Sequence, residues 1–472
     1  MTRAVVVGGG ISGLVAAQRL AARPGYDITV LEAADRLGGC LRGSALGGHA
    51  PDGADVGAEA SLFVRPETVG LCRELGLELE FPSRAHSSQI RAHGVMHAIP
   101  AGTLMGVPAD PQALTGLLTP DEIARVAEEQ PTAPSDADVS VGDFLAARLG
   151  DALVDTVVDP LLGGVYAGRC RDLSLAATIP ALLPAAREGT SVLDAVARVQ
   201  EQRARGRGTT SGAQVPGSQT SDSPPVFLSL RGGMNRLVDA LARHLGDLGA
   251  TIRTDARVER IARSADGTWT IDAGERIEAE VLVLAVPAFV AAPLLADVDG
   301  EIAGTLAGIE YASSAVVTAV IDVSEAPLEG SGFLVPPADT VVVKASTFAS
   351  NKWPWLAATL PADTAAVRMS VGRFGDAPDT WQALDDAELA RAAIDDWRRI
   401  TGRSAPVLHS EVQRWTDALP QYMPGHLERT AGIDARLPGI PGLALVGSAY
   451  EGVGIPACIA RVDREVARLT GG

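Results

Sequence analysis

The sequence predicts an α/β fold: a Rossmann-like nucleotide-binding domain, a second domain built on a mixed sheet, and a helical insert. Three observations predict it. Thr2–Val7 is a β-branched run followed by Gly8, Gly10 and Gly13 in G-x-G-x-x-G spacing, then an Ala-rich stretch from Leu14 to Ala22 and a second apolar run, Asp27–Leu31, that ends at Glu32. Helical patterning dominates from Asp110 to about Gln202. The runs Ala312–Asp322 and Val341–Thr347 are alternating or β-branched, as strands of a separate sheet are.

The first unit has a specific physics. Gly8 permits a tight turn, Gly10 lets the backbone approach a pyrophosphate, and Gly13 lets helix and strand pack closely. The helix that follows offers free N–H groups and the positive end of its dipole to the anion. Glu32, about twenty residues on, accepts hydrogen bonds from a ribose and disfavours a 2′-phosphate.

Gly57, within Asp55-Val56-Gly57-Ala58-Glu59-Ala60, suggests a backbone passing close to a ligand. Glu67–Leu77 reads as an amphipathic helix and Ser88–Pro100 as a hairpin turning at His93-Gly94. Thr119-Pro120-Asp121-Glu122 is a helix start, with Thr as N-cap, Pro in the first turn and acids at the positive end. Ser140–Leu149 and Asp151–Leu162 read as helices, and Gly163-Gly164-Val165-Tyr166-Ala167-Gly168 as a glycine turn. Arg203–Pro225 is rich in Gly, Ser, Thr, Gln and Pro and reads as a flexible loop. A glycine turn and an amphipathic helix follow over Leu228–Leu248, a strand over Thr251–Ile261, and a hairpin with a return strand from Trp269 to Ala285. Asp385–Thr401 is an amphipathic helix, Glu411–Arg414 a strand, and Gly442–Gly447 a last parallel strand. Glu451-Gly452-Val453-Gly454-Ile455-Pro456 then opens a terminal helix, whose N–H groups can face an electron-rich atom.

Composition narrows the function. The 472 residues are 46% hydrophobic, enough for two or three cores. A formal charge of −18 opposes nucleic-acid binding and adsorption to anionic lipid. No apolar run reaches membrane-spanning length, and the four scattered cysteines, with no targeting segment ahead of the first strand, read as reduced thiols of a cytoplasmic protein. The seven histidines show neither metal nor triad spacing, so no metal is expected, and no general base is named.

Glu32-Ala33-Ala34-Asp35-Arg36-Leu37-Gly38-Gly39 resembles the extended E-x-x-x-R-x-G-G signature of the flavin amine oxidase and protoporphyrinogen oxidase superfamily. Val141-Gly142-Asp143-Phe144, Gly164-Val165-Tyr166-Ala167-Gly168, Lys352-Trp353-Pro354 and Pro420-Gln421-Tyr422 leading to His426 are similar to the soluble, oxygen-dependent protoporphyrinogen/coproporphyrinogen III oxidases of Gram-positive and actinobacterial type. The resemblance covers nearly the whole chain and is weakest at Arg203–Pro225. It implies FAD-dependent oxidation of coproporphyrinogen III to coproporphyrin III in haem biosynthesis, with O2 as acceptor and H2O2 released. Protoporphyrinogen IX oxidation or a flavin amine oxidase-like reaction are the alternatives. The family also implies a transient contact with a ferrochelatase.

For the site, the resemblance implies that FAD is held by Gly8, Gly10, Ile11, Ser12, Gly13, Glu32, Ala33, Arg36, Gly38 and Gly39, with Arg42 beside the ring system. Gly57, Ala58, Glu59 and Ala60 run past the ring, Val258 reaches the adenine with its backbone, and Trp415, Gly447, Val453, Gly454 and Ile455 complete the cradle. Cys40 is the thiol nearest these motifs, but non-covalent binding is expected. A flat macrocycle needs apolar faces, for which Tyr166, Phe333 and Leu334 are the candidates; Arg91 and Arg169 are candidate carboxylate partners. The FAD-binding domain is expected to comprise 1–85, 226–295 and 430–472, the substrate domain 86–108 and 296–429, the helical insert 109–202, and the loop 203–225.

Overall fold

A computed structural model describes residues 1–207, 225–339 and 341–471. Two sheets organise it. In chain order their strands are β1 (Thr2–Val7), β2 (Tyr26–Leu31), β3 (Ser88–Ala92), β4 (Val95–Ala98), β5 (Thr251–Arg253), β6 (Val281–Leu284), β7 (Tyr311–Asp322), β8 (Gly332–Leu334), β9 (Val343–Phe348), β10 (Thr364–Val371), β11 (Val407–Pro420) and β12 (Leu443–Leu445).

The first sheet is parallel throughout, in the order β5-β2-β1-β6-β12. Its central strands are apolar on both faces because both are covered. Ala4 and Val6 point to the helices Ile11–Ala21 (α1), Asn235–Asp247 (α2) and Ile455–Thr470 (α3). Val5 and Val7 point the other way, to Trp269, Ile271 and the short helices Ala288–Leu295 and Gly300–Ala307.

The second sheet is mixed, in the order β11-β7-β10-β9-β8-β3-β4. One face, with Val317, Phe333, Phe348 and Met369, packs on Leu389, Ala393 and Trp397 of the helix Asp386–Thr401. The opposite face meets Leu46, Val56 and Trp353 at one end, and the helical insert through Ile90, Ala92 and Leu334 at the other. Helix starts in the insert follow the local chemistry. Thr119 and Glu122 form a capping box, and the Ser140 side chain accepts from the Asp143 N–H.

Several expectations are corrected. Gly163 and Gly164 are not a turn: they continue the helix Asp159–Tyr166, which ends only at Ala167 (φ 49°). The stretch Thr251–Ile261 is not one strand, because Asp255 turns the chain at φ 52° and Arg260–Arg263 joins a separate antiparallel sheet. The strand expected at Glu411–Arg414 runs from Val407 to Pro420. The helix Val192–Arg207 extends into the region expected as loop; residues 208–224 lie outside the described residues. Among the described residues, no helix is long and apolar enough to cross a membrane, no group of residues could hold a metal ion, and the four cysteines are unpaired.

Candidate flavin-binding and substrate site

The C-terminal ends of the parallel strands bring the glycine motifs together. Gly8 sits at φ 108°, and a Cβ there would lie 2.5 Å from the Ala285 carbonyl oxygen. A Cβ on Gly13 would lie 1.8 Å from the Gly8 oxygen, so the close helix–strand contact admits no other residue. Gly10 differs. It is the N-cap of α1, provides no side-chain cap, and a Cβ there would meet nothing within 4 Å. The helix end therefore opens into free space, which is what a pyrophosphate needs. The Gly38-Gly39 turn closes over it: the Gly38 N–H donates to the Gly9 carbonyl at 2.8 Å, and Gly38 bridges Gly10.

Arg36 braces that turn, donating to the Leu37 and Gly39 carbonyls at 3.1 and 2.8 Å. Burial, and then the neighbouring Arg42, push against its positive charge. Arg36, with Arg42 near it, thus stands on the turn that closes over the uncapped helix end, an arrangement that fits a pyrophosphate. Glu32 is held in place by its own loop: Oε2 accepts the Gly9 N–H at 2.7 Å and Oε1 the Ala34 N–H at 2.8 Å. Both oxygens keep a lone pair for a ribose. Ala33 follows Glu32 on the same rim. Asp255 and Ala256 donate backbone N–H groups to the Ala34 and Glu32 carbonyls, which brings Val258 to it as well.

The site's second half comes from the Asp55–Ala60 segment. Gly57 lacks a Cβ for a reason other than a ligand: a Cβ would lie 2.0 Å from the Cys40 carbonyl oxygen and 2.9 Å from the Trp415 ring. Trp415 Nε1 donates to the Val56 carbonyl at 3.3 Å, and the Ala58 N–H to that of Cys40 at 3.1 Å. Glu59 accepts from Lys352 Nζ at 2.5 Å and from Arg368 Nη1, while Arg368 Nη2 donates to the Gly57 carbonyl at 2.5 Å. Burial opposes ionisation of Glu59, but these two cations outweigh it and hold the carboxyl at about 2. Asp55 is buried beside them and accepts the Met234 N–H at the start of α2 at 2.9 Å. Burial pushes its carboxyl up to about 7, against that hydrogen bond and Arg368.

At the C-terminal edge, Gly447 has φ 133° and open space at its Cβ position, and Gly454 is the uncapped N-cap of α3. Ile455 and Ser12 are buried behind the two helix ends, and Ile11 packs on the core next to them. Val453 packs on the insert. Sequence reasoning missed Arg461, fully buried on α3, which donates to Glu451 Oε1 at 3.0 Å and to Asp434, and so anchors the loop ahead of Gly454. Its signal was an arginine on the apolar face of an amphipathic helix.

The substrate candidates divide. Leu334 is half-buried and packs on the insert; a Cβ on Gly164 would lie 3.7 Å from its Cδ2. Tyr166 ends the facing helix, and burial pushes its phenol up to about 12. Gln421 Nε2 donates to the Tyr166 carbonyl at 2.9 Å. Phe333 points to the opposite face of the sheet, 6.0 Å and edge-on to Phe348 in the core under Asp386–Thr401. Adjacent strand residues face opposite ways, so Phe333 and Leu334 cannot share a pocket. Arg91 is paired with Asp339, and Arg169 with Asp376 at 3.1 Å.

The profile of the family described as "Flavin containing amine oxidoreductase" matches residues 11–469. The coproporphyrinogen III oxidase of Mycobacterium tuberculosis (strain ATCC 25618 / H37Rv) is 38% identical, over 98% of this chain and 96% of its own. That of Bacillus subtilis (strain 168) is 26% identical, over 96% and 95%. A solved structure from Exiguobacterium sp. 255-15, provisionally assigned as a protoporphyrinogen oxidase, superposes with a TM-score of 0.83 at 29% identity, over 99% of this chain and 98% of its own. With the family profile spanning almost the whole length, and the glycine cradle and uncapped helix ends in place, the chain belongs to the flavin-containing amine oxidoreductase family.

Proposed function

We propose that this chain is an FAD-dependent oxidase that converts coproporphyrinogen III to coproporphyrin III, three O2 being reduced to three H2O2 as six electrons and six protons leave the macrocycle. The observation that carries the reading is the junction of Tyr166, Gln421 and Val453. It joins the segments similar to porphyrinogen oxidases to the loop before α3. Bound FAD supplies the two-electron acceptor and the link to O2. It would be held by Gly8, Gly10, Gly13, Arg36, Gly38 and Gly39 at the pyrophosphate, by Glu32 at the ribose, and by Arg42, Gly57–Ala60, Trp415, Gly447 and Val453–Ile455 around the ring system.

The chain's own work is positional. Lys352 and Arg368 fix Glu59 and the Gly57 carbonyl, so the strip beside Cys40 and Trp415 is rigid. Tyr166 and Leu334 offer apolar surface for a flat ring. The proposed division is that of the sequence reading, with the insert beginning at 109 and its last helix running to Arg207. Cytoplasmic residence, and hand-over of the porphyrin to a ferrochelatase, belong to the same proposal.

An amine oxidase reaction would need aromatic rings presented to a small amine. Tyr422 instead donates to the Ser448 carbonyl and stacks on His426 at 3.9 Å, and Tyr450 is buried under Arg461. The deciding experiment is steady-state turnover with coproporphyrinogen III and protoporphyrinogen IX, reading porphyrin fluorescence and H2O2. Preferential coproporphyrin formation supports the proposal. Turnover of protoporphyrinogen alone reverses the substrate assignment, and oxidation of amines alone defeats it.

A further inference from the structure

Lysine occurs at two positions only in this chain, and one of them, Lys344, is buried. It is the extra residue at an irregularity in β9, between Val343 and Ala345. Its Nζ donates to the Gly372 carbonyl at 2.6 Å, and no carboxylate pairs with it among the described residues. An ammonium has three donors, and a buried one without an acid is costly. Burial, and then Arg373, push its ammonium down to about 7, against the opposing pull of Asp376.

The surroundings carry more cations. Arg373 Nη2 donates to the Val335 carbonyl at 2.7 Å. Arg169 Nη2 donates to Asp376 Oδ1 at 3.1 Å, and the Arg373 N–H to Asp376 Oδ2 at 2.7 Å. Two further acids stand near: Asp159, whose Oδ1 accepts the Cys170 N–H at 2.7 Å, and Asp172, which lies within reach of the Arg169 charge. Lys344 thus stands without an ion pair of its own among the described residues, the nearby Asp376 being taken by Arg169 and by the Arg373 N–H.

The position is as telling as the charge. The Phe374 N–H donates to the Ala167 carbonyl at 2.6 Å, where the helix ending at Tyr166 stops. The Val335 N–H donates to the Lys344 carbonyl at 2.9 Å, one residue beyond Leu334. The cations therefore close one end of the seam between Tyr166 and Leu334. An apolar seam that ends at a buried ammonium with no ion pair suits a flat ring with a carboxylate on its rim.

We propose that Lys344, supported by Arg373 and Arg169, is a specificity-determining carboxylate receptor that takes one propionate of the macrocycle; this rests on the porphyrinogen oxidase reading. A structural ion pair would behave differently. Removing it would cost stability, whereas removing a cation reserved for a ligand leaves the free enzyme as stable or more so.

The test uses FAD-loaded wild type, Lys344→Met and, because a buried substitution can disturb folding, the half-exposed Arg169→Gln. Readouts are melting temperature, flavin content, kcat and KM for coproporphyrinogen III, and binding of coproporphyrin III against its uncharged tetraamide. The expected result for Lys344→Met is a loss of about tenfold in KM and in coproporphyrin binding, the scale of a charged hydrogen bond. Tetraamide binding, flavin content and melting temperature should hold. Arg169→Gln should give a smaller loss of the same kind. If wild type oxidises coproporphyrinogen III while both variants keep the acid-over-amide preference, the inference is overturned and the function stands. Equal loss for acid and amide, or a lowered melting temperature without loss of preference, also overturns it. Absence of porphyrinogen turnover in wild type overturns the functional reading, and this inference with it.

Discussion

Lys352 Nζ donates to Glu59 Oε1 at 2.5 Å, joining residues 293 positions apart in the chain. Arg368 shares the same carboxylate, and the three side chains are 20%, 15% and 11% exposed for Lys352, Glu59 and Arg368. Removing the acid leaves two largely buried cations without a counter-charge. Glu59→Gln should therefore destabilise the protein by about 2–4 kcal/mol, read as a lower melting temperature. The held-down carboxyl also sets a pH dependence. A group depressed on folding contributes its stability above its ordinary range, near 4.5, and loses it as pH falls toward about 2. Wild type should lose stability faster than the variant over that window; parallel curves would show the pair contributes nothing.

Asp55 works in the opposite sense. Its folded carboxyl, lifted to about 7 by burial, binds its proton more tightly than in the unfolded chain. The proton-linked stabilisation is complete below the ordinary carboxyl range near 3.8 and is lost as pH rises through about 7. Asp55→Asn keeps an acceptor for the Met234 N–H and removes the buried charge. Its melting temperature should rise relative to wild type at pH 8 and approach it at pH 5. A difference independent of pH would mean that Asp55 is not the titrating group.

Gly10 and Gly13 separate folding from cofactor binding. A methyl on Gly13 meets backbone at 1.8 Å, whereas one on Gly10 meets nothing within 4 Å. Gly13→Ala should yield unfolded or flavin-free protein. Gly10→Ala should retain the apoprotein melting temperature and weaken FAD binding by at least about tenfold, since the methyl enters the space ahead of the helix end. Full flavin occupancy in Gly10→Ala would remove that helix end from the cofactor site.

What the sequence made legible follows from the range of the forces involved. The G-x-G-x-x-G turn, the helix start at Thr119–Glu122 and the His93-Gly94 hairpin are set by residues within a few positions of one another, and each is found where it was expected. Gly57 was legible as a close approach, but what it approaches is the Cys40 carbonyl and the ring of Trp415, the latter more than three hundred residues on. Gly163-Gly164 reads as a turn locally, yet tertiary packing holds it as helix against β8. The Glu59 ion cluster, buried Arg461 and Lys344 depend on partners that only the fold assembles, so charge composition alone could not reveal them. Phe333 and Leu334 were both expected against the ring; as neighbours on one strand they face opposite ways, and only the fold shows which face meets the insert.

That choice of face gives the last prediction. Leu334 faces the insert across from Gly164 and is half-buried, while Phe333 is buried against Phe348 on the far side. Truncating a side chain that lines a substrate seam changes what binds there; truncating one in a packed core leaves a cavity. Phe333→Ala should cost about 3–5 kcal/mol and lower melting temperature, flavin content and activity together. Leu334→Ala touches partly accessible surface, so its stability cost should be smaller, below about 2 kcal/mol. Its effect should fall on KM or kcat for the porphyrinogen, at constant flavin content. Tyr166→Phe gives a control within the same seam. The Tyr166 contact to Gln421 runs through the backbone carbonyl, so loss of the phenol oxygen alone should leave the fold intact. Kinetics unchanged in Leu334→Ala, with flavin content and melting temperature also unchanged, would move the substrate away from β8 and from the face it presents to the insert.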